Sequence, residues 1–474
     1  MSLQKNFIYN SILTVSTYLF PLLVYPYVSR VLGLSNIGIV NFVDNLINYF
    51  SLFSMMGIMT VGVREIAAVK NNKEKLSQTF MSLLLLTAIT TFVAIVALLI
   101  AMNVFDALIP HRDLLYVGLI KLVFNLFLLE WFFTGLEDFK YITNRSLLVK
   151  CLYVICIFLF VKEASDYKIY YVISVAMVVV NAFINILYSR RYIEFSFKGI
   201  NMRLFYKAYF IMGIYVLLTN VYISFNPVWL GFVTNTDQVG YFTTATKLHG
   251  IIMAVLTSFT SILYPRVSNL LAEGNKTEFW KKISIAFDAI FMFAFPAIIY
   301  IMIAGPELLH LIVGDGFEGS YLPLRIITPL VLIIGIEQIL VIQILMAMHQ
   351  DSIVLRNSFI GSLVAFIFNI ILTSNMGAIG SAIVWVIAEC SIMILSIIVI
   401  YRKYKYSLPF KKIGIYGISY IPLLLLSLIV YNFLTNNYAI IISLATLSFL
   451  YAFINEIFIL KNNVARQLLH SIHL

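Results

Sequence analysis

Polar side chains recur at helical spacing inside two long apolar stretches of the sequence. In the first stretch, steps of three and four residues place a set of them on one helical face: Asn41, Asp44, Asn45 and Asn48. The second stretch repeats the pattern with Thr243, Lys247 and Gly250. Polar groups in hydrocarbon cost free energy unless they find partners or water. The two faces therefore predict either a water-filled cavity or hydrogen bonds between neighbouring helices.

Charged residues also lie in or at the ends of apolar stretches. The basic ones are Arg30, Lys121, Lys247 and Arg325. Around a cavity they would attract an anion, and a diphosphate is the natural anionic group of a lipid carrier. We therefore predict that these four bind a diphosphate headgroup, although either arginine could instead extend to the membrane surface.

The acidic residues Asp288, Glu337 and Glu389 fall inside apolar stretches as well. They could pair with the cations, relay protons or bind a coupling cation, and the sequence leaves these roles open. The predicted cavity-lining or coupling residues are Asn41, Asp44, Asn45, Asn48, Thr243, Asp288 and Glu389. The sequence has no P-loop motif and no Cys or His cluster, so we predict no cofactor, no metal and no catalytic residue.

Composition indicates which elements must position these side chains. Hydrophobic residues make up 61% of the 474 residues and charged residues only 11%, against roughly 25% charged in soluble domains. A soluble fold is therefore excluded. Apolar runs long enough to cross a core of about 30 Å recur along the chain. We predict fourteen transmembrane helices, at 7–28, 37–60, 79–103, 113–134, 146–162, 169–189, 208–233, 241–263, 283–304, 323–346, 357–373, 378–401, 413–433 and 438–459.

The distribution of basic residues predicts the orientation. An even number of spans places both termini on one side, and most of the 32 lysines and arginines fall in connectors on that side. The positive-inside rule therefore predicts that both termini are cytoplasmic. The net charge of +10 is explained by these connectors, so we do not expect nucleic acid as a partner.

A weak internal repeat predicts the domain organisation. A shift of 202 residues overlays Gly38 on Gly240 and Arg64 on Arg266. Six predicted spans separate the copies, and an even number preserves direction, as in a parallel repeat. We predict six-helix lobes at 1–205 and 206–402 around a central cavity. An extra helix pair and a cytoplasmic tail would occupy 403–474.

Several motifs point to a known family. In order they are PYVSRVLGLSNIG (26–38), GVREIA (62–67), EWFFTGLEDFKYITNR (130–145), YPRVSNL (264–270), VGDGFEGSYLPLRIITPL (313–330) and GAIGSAIVWVIAE (377–389). Together they resemble the Wzx-type polysaccharide flippases of the multidrug/oligosaccharidyl-lipid/polysaccharide (MOP, MATE-like) exporter superfamily. The resemblance extends from the first span to the twelfth. Leu34 and Thr134 depart from the family's usual proline and glutamine.

This resemblance implies a fold, a substrate and a location. Its members have an all-α MATE-like MOP fold with two six-helix lobes around a cavity. They are thought to move undecaprenyl-diphosphate-linked oligosaccharides from the cytoplasmic to the periplasmic leaflet of the bacterial inner membrane, for O-antigen, capsule or exopolysaccharide synthesis. The implied partners are membrane lipid, this substrate and the polysaccharide polymerase and chain-length machinery, and we expect a monomer. Arg30 lies within a family motif, whereas Lys121 and Lys247 lie outside the motifs.

Two other functions remain open from the sequence. A drug or small-molecule antiporter of the same superfamily would share the helices but favour an acidic cavity, and the surplus of buried basic residues favours the flippase. A membrane-embedded polysaccharide polymerase would usually carry a large periplasmic loop, and the predicted connectors are short. We therefore predict that the protein is not an enzyme.

Overall fold

The computed structural model describes residues 3–460, apart from the side chains at positions 3–8, 10–11, 18, 215, 218–224, 261–262, 265 and 272. The described chain is helical and contains no strand, since a helix satisfies its own backbone polar groups in lipid. The predicted cytoplasmic tail lies beyond the described residues from 461 onward. The α-helices are α1 (Leu3–Met55), α2 (Ile58–Val69), α3 (Lys73–Val104), α4 (Arg112–Asn125), α5 (Glu130–Gly135), α6 (Phe139–Phe160), α7 (Tyr167–Ser189), α8 (Tyr206–Val233), α9 (Thr236–Ala272), α10 (Lys276–Val313), α11 (Tyr321–Ile327), α12 (Leu330–Gln338), α13 (Asp351–Phe368), α14 (Ser374–Tyr404), α15 (Phe410–Ser419), α16 (Ile421–Phe433) and α17 (Asn437–Ile454).

The helices confirm the predicted multi-pass architecture. Eleven stretches of the described chain are long and apolar enough to cross a bilayer. Two of them, Ile12–Val69 and Asp351–Tyr404, contain 58 and 54 residues, enough for two crossings each. The 28 residues of α8 would reach about 42 Å and provide a further crossing. The described helices thus account for the fourteen predicted crossings.

Glycines divide the two longest stretches where the sequence predicts connectors. Gly33 has φ 73° and ψ 172° inside α1, and Gly377 has φ 56° and ψ −131° inside α14. Positive φ values are readily adopted only by glycine, because it has no Cβ. Each glycine therefore separates two helical segments, so that α1 contributes the segments 3–32 and 34–55.

The chain forms two compact units, Met1–Gly240 and Tyr241–Leu474. In the first unit α1 packs against α3, α4, α6 and α8, and α2 packs against α5. In the second unit α14 packs against α11, α12 and α13. The division between the units falls within α9, and α8 belongs to the first unit, where it packs against α1 and α2. The lobe boundary deduced from the repeat stays a prediction.

The predicted C-terminal helix pair packs on α10. The pair consists of α15–α16 and α17. Each of these three helices contacts α10, and α16 also contacts α15 and α17. The rings of Phe295 and Tyr420 stack with centroids 5.9 Å apart. The hydroxyl of Tyr420 donates a hydrogen bond of 2.9 Å to the buried carboxylate of Glu456. The pair is therefore joined to the second unit by both apolar and polar contacts.

Candidate functional site

One face of the second segment of α1 is polar and partly exposed. Its four polar residues are neither buried nor fully exposed: Asn41, Asp44, Asn45 and Asn48. The hydrophobic residues between them are buried: Phe42, Val43, Leu46 and Ile47. This alternation follows the helical period. The structure thus places the predicted polar residues on one accessible face.

Lys121 of α4 is hydrogen-bonded to this polar face. Its Nζ donates to Oδ1 of Asp44 at 2.6 Å and to Oδ1 of Asn48 at 2.9 Å. The Asn48 amide also donates to Oδ2 of Asp44 at 3.1 Å. The side chain of Lys121 is 16% exposed and that of Asp44 is 34% exposed. Asp44 therefore neutralises this lysine, and an anion could bind Lys121 only by competing with the carboxylate.

The other three predicted cations have exposed side chains. Arg30 precedes the Gly33 break in α1, Lys247 lies on α9 and Arg325 lies on α11. Thr243, one turn before Lys247, is buried. The exposed basic groups are accessible to an anionic ligand. Their role in binding a diphosphate stays a prediction.

Asp288 is engaged in an ion pair with the C-terminal helix pair. Both of its carboxylate oxygens accept hydrogen bonds of 2.8 Å from Nζ of Lys412 on α15. Lys412 also donates to the hydroxyl of Ser284 at 3.1 Å. These bonds join α15 to α10. They supply a structural reason for an acid at this position, besides the predicted coupling role.

Glu389 is part of a buried polar group in the second unit. It is 4% exposed, and its Oε1 accepts a 2.9 Å hydrogen bond from the indole of Trp385. The carboxyl of Glu337 on α12 lies near that of Glu389. In the described chain, Oε2 of Glu337 is buried without a hydrogen-bond partner. Two neighbouring carboxyl groups disfavour double ionisation, so this arrangement suits one proton held by the pair.

A buried histidine packs on the tryptophan that binds Glu389. The ring of His249 on α9 contacts Trp385 edge to face, with centroids 5.2 Å apart. His249 is 1% exposed, and its Nε2 has no hydrogen-bond partner among the described residues. The structure therefore places the imidazole of His249 and the carboxyl of Glu389 against the same indole. The sequence identified both glutamates as intramembrane acids, but no local pattern related them to His249.

The sequence alone does not reveal the buried network around Arg145, which precedes the predicted span 146–162. In the structure α6 begins earlier, at Phe139, and the side chain of Arg145 is only 1% exposed. The guanidinium donates to Oδ1 of Asn185 at 2.6 Å and to Oε1 of Glu130 at 3.1 Å. A third bond of 3.0 Å reaches the hydroxyl of Ser146. The signal in the sequence that could have indicated this network is the position of Arg145 directly before an apolar run.

Two of the family motifs pack against each other through glycines. A Cβ added to Gly62 would lie 2.6 Å from the ring of Trp131, and one added to Gly135 would lie 2.7 Å from Ile66. Trp131 is itself buried and stacks on Phe80. The motifs at 62–67 and 130–145 are therefore explained by the close contact between α2 and α5.

Asp138, in the motif at 130–145, organises the start of α6. Asp138 caps this helix by accepting a hydrogen bond from the backbone N–H of Tyr141 at 3.3 Å. Its other oxygen accepts bonds from the hydroxyls of Tyr188 and Tyr192 at 2.9 and 2.8 Å. Burial, together with the hydrogen bonds and charge of its neighbours, raises the pKa of Tyr192 well above its usual value. The hydroxyl therefore stays protonated and donates to Asp138.

These helices define a multi-pass membrane protein with the MOP fold. The structure is similar to one described as "Lipid II flippase MurJ, inward closed conformation", with a TM-score of 0.80, 15% identity and coverage of 94% of this chain and 98% of that chain. It is also similar to a MATE protein in the bent conformation, with a TM-score of 0.53, 16% identity and coverage of 82% and 90%. At these identities the likeness establishes the fold.

The chain belongs to the polysaccharide biosynthesis protein family, whose model matches residues 3–271. It is 26% identical over 406 residues to a protein of Escherichia coli (strain K12) named "Putative O-antigen transporter". That match covers 82% of this chain and 94% of the relative. A protein of the same name from Shigella dysenteriae is 25% identical over 411 residues, covering 83% and 98%. The family suggested by the sequence motifs is thereby confirmed.

Proposed function

We propose that this protein is a flippase for undecaprenyl-diphosphate-linked oligosaccharides. It moves these lipids from the cytoplasmic to the periplasmic leaflet of the bacterial inner membrane, with both termini in the cytoplasm. Family membership, the transporter names of two relatives and the fold shared with a lipid II flippase support this proposal. The substrate would supply repeat units for O-antigen, capsule or exopolysaccharide synthesis.

The observation that carries the proposal is the partly exposed polar face of α1 with its bound lysine. A headgroup of sugars and diphosphate must cross about 30 Å of hydrocarbon, which requires groups that replace water. The amides of Asn41 and Asn45 can hydrogen-bond sugar hydroxyls. Lys121, released from Asp44, can pair with the diphosphate, and Arg30, Lys247 and Arg325 add accessible positive charge. Alternating access would then expose these groups first to one side of the membrane and then to the other.

Deleting the gene is expected to trap the lipid-linked repeat unit in the cytoplasmic leaflet and to remove the surface polysaccharide. A flippase breaks no covalent bond, so the trapped intermediate should be chemically complete. The measurement is the accessibility of the lipid-linked sugar to an impermeant reagent in oriented membrane vesicles. Accumulation in the periplasmic leaflet would contradict the proposal. If the deletion strain keeps its surface polysaccharide but becomes more sensitive to drugs, the protein is instead a drug antiporter.

We also propose that Glu337 and Glu389 hold a coupling proton during transport. The two carboxyls neighbour each other, and Glu389 and the Oε2 atom of Glu337 are buried. One of the two must therefore be protonated for the pair to be stable in low dielectric. The groups near them are Cys390 and the neutral indole of Trp385, which His249 contacts. The described residues place no basic side chain in an ion pair with either glutamate. A proton is therefore the cation that this environment can hold without further oxygen ligands.

Glu389→Gln is expected to leave the protein folded but to abolish the response of transport to a pH gradient. Glutamine retains an acceptor for Trp385 and imitates the protonated acid, so folding should be little affected. Transport is measured in proteoliposomes with and without an imposed pH gradient. Asp113→Asn, which removes an exposed acid of α4, is the matched control and should respond normally. An unchanged response of Glu389→Gln, or a response to sodium alone, would refute proton coupling at this site.

A further inference from the structure

A groove between α13 and α14 combines basic and apolar walls. It has a volume of about 570 Å³. Three basic side chains line it: Arg356, Arg402 and Lys403. Four aliphatic side chains complete the lining: Ile360, Leu395, Ile398 and Val399. No function proposed above uses these residues.

The three cations lack acidic partners in the described chain. None of the ion pairs formed by the described residues involves Arg356, Arg402 or Lys403. Arg356 donates to the side-chain oxygen of Asn357 at 3.2 Å, and Lys403 donates to that of Gln350. Both acceptors are neutral amides. The groove therefore carries three positive charges without a countercharge.

The charged and apolar walls are ordered along the helices. Arg356 lies in the second turn of α13, and Ile360 lies one turn further into that helix. Arg402 and Lys403 lie in the last turn of α14, and Leu395, Ile398 and Val399 precede them by one to two turns. One end of the groove is therefore basic and the other is aliphatic. This gradient matches a membrane lipid, whose phosphate lies at the interface and whose chain lies in hydrocarbon.

Topology signals explain only part of this arrangement. Basic residues in the last turn of a helix interact favourably with its dipole, which would account for Arg402 and Lys403. Arg356 lies near the start of α13, where the dipole disfavours a cation. Neither the dipole nor the positive-inside rule requires a concave aliphatic surface beside the cations. A ligand with both an anionic and an apolar part explains all three features.

We propose that this groove binds an anionic phospholipid. Its phosphate contacts Arg356, Arg402 and Lys403, and one acyl chain lies along the aliphatic wall. Basic pockets between transmembrane helices bind lipid headgroups in this way. The lining contains no amide, hydroxyl or aromatic side chain that could bind sugars. It therefore suits a phospholipid rather than an oligosaccharide-linked lipid, and the site is separate from the proposed translocation of substrate.

Native mass spectrometry of the purified full-length protein with phosphatidylglycerol or phosphatidylcholine tests this inference. The unaltered protein should retain phosphatidylglycerol in preference to phosphatidylcholine. Each lysine or arginine near a lipid surface contributes a factor of about five in affinity. The double variant Arg356→Gln/Arg402→Gln should therefore bind phosphatidylglycerol about 25-fold more weakly. The matched control is Arg190→Gln/Lys198→Gln, which removes two exposed cations outside the groove and should bind normally.

Several outcomes would overturn the inference. These are an equal loss in the control, equal retention of the two lipids, or undiminished binding by the groove variant. Competition by inorganic phosphate as effective as that by phosphatidylglycerol would show that the aliphatic wall does not contribute. If the double variant does not fold, the single variant Lys403→Gln serves instead, with an expected loss of about fivefold. Thermal unfolding without lipid verifies that each variant is folded.

Discussion

Glu130→Gln is expected to destabilise the protein more than Arg145→Met, although both changes break the same ion pair. The reason is the difference in burial between the partners, since the Arg145 side chain is 1% exposed and that of Glu130 is 47% exposed. Losing the glutamate charge leaves a buried guanidinium uncompensated, which costs about 3–5 kcal/mol. Losing the arginine leaves a carboxylate that water can still solvate, and we expect a cost of about 1–2 kcal/mol.

The neighbouring hydrogen bonds reinforce this asymmetry. Asn185 keeps a 2.9 Å bond from the hydroxyl of Tyr141 when Arg145 is absent. Arginine also carries a buried Nε without a hydrogen-bond partner in the described chain, and methionine removes it. The unbranched methionine side chain fills much of the same space.

Thermal or denaturant unfolding of the purified variants in detergent measures these costs. The double variant Glu130→Gln/Arg145→Met should resemble Arg145→Met alone, because the buried charge is gone in both. Lys168→Met, which breaks the exposed pair with Asp113, is the control and should leave stability nearly unchanged, because water screens exposed charges. If Arg145→Met proves the more destabilising single change, the buried cation is not the dominant cost.

The pair Asp44 and Lys121 is expected to separate stability from transport. Asp44→Asn leaves the mostly buried Lys121 without its anion, and Lys121→Met leaves Asp44 without its cation. Each single change should cost about 1.5–3 kcal/mol, the usual contribution of a hydrogen bond to a charged group. The double variant Asp44→Asn/Lys121→Met removes both charges and should recover most of that stability.

Transport should not recover in the double variant. If Lys121 contacts the diphosphate during the cycle, its loss should reduce the rate of lipid translocation at least about tenfold, the effect of about 1.4 kcal/mol in the transition state. Lys121→Arg should retain part of the activity because it retains the charge. The matched control is Asp113→Asn/Lys168→Met, which removes an exposed pair between α4 and α7. Normal transport by the Asp44→Asn/Lys121→Met protein would show that the pair is only structural.

The helices were predictable because the signal for a membrane span is local. A run of about 20 apolar residues must become helical in lipid, whatever else the chain does. The breaks at Gly33 and Gly377 fall in two of the predicted connectors for a similar reason. Glycine adopts a positive φ readily because it has no Cβ, and this tolerance depends on the residue type alone. The polar face of α1 also follows from spacing alone.

The partners of the charged residues were not predictable. Lys121, which the sequence predicts in an anion site, is paired with Asp44, 77 positions away. Asp288 was a candidate for coupling, and it holds Lys412, 124 positions away. An isolated charge in an apolar run indicates that a partner or water is required, but it does not identify the partner.

By itself, the sequence determined that this protein is a multi-pass helical membrane protein, which family it belongs to, and which positions carry polar groups inside the spans. Hydropathy, glycine conformation and short motifs are encoded in neighbouring residues. Only the tertiary structure decided that Lys121 is neutralised by Asp44, that the buried Arg145 binds Glu130 and Asn185, and that Trp385 contacts both Glu389 and His249. These contacts join separate helices. Helix packing brings together residues that are far apart along the chain, and no local sequence pattern indicates that they are close in space.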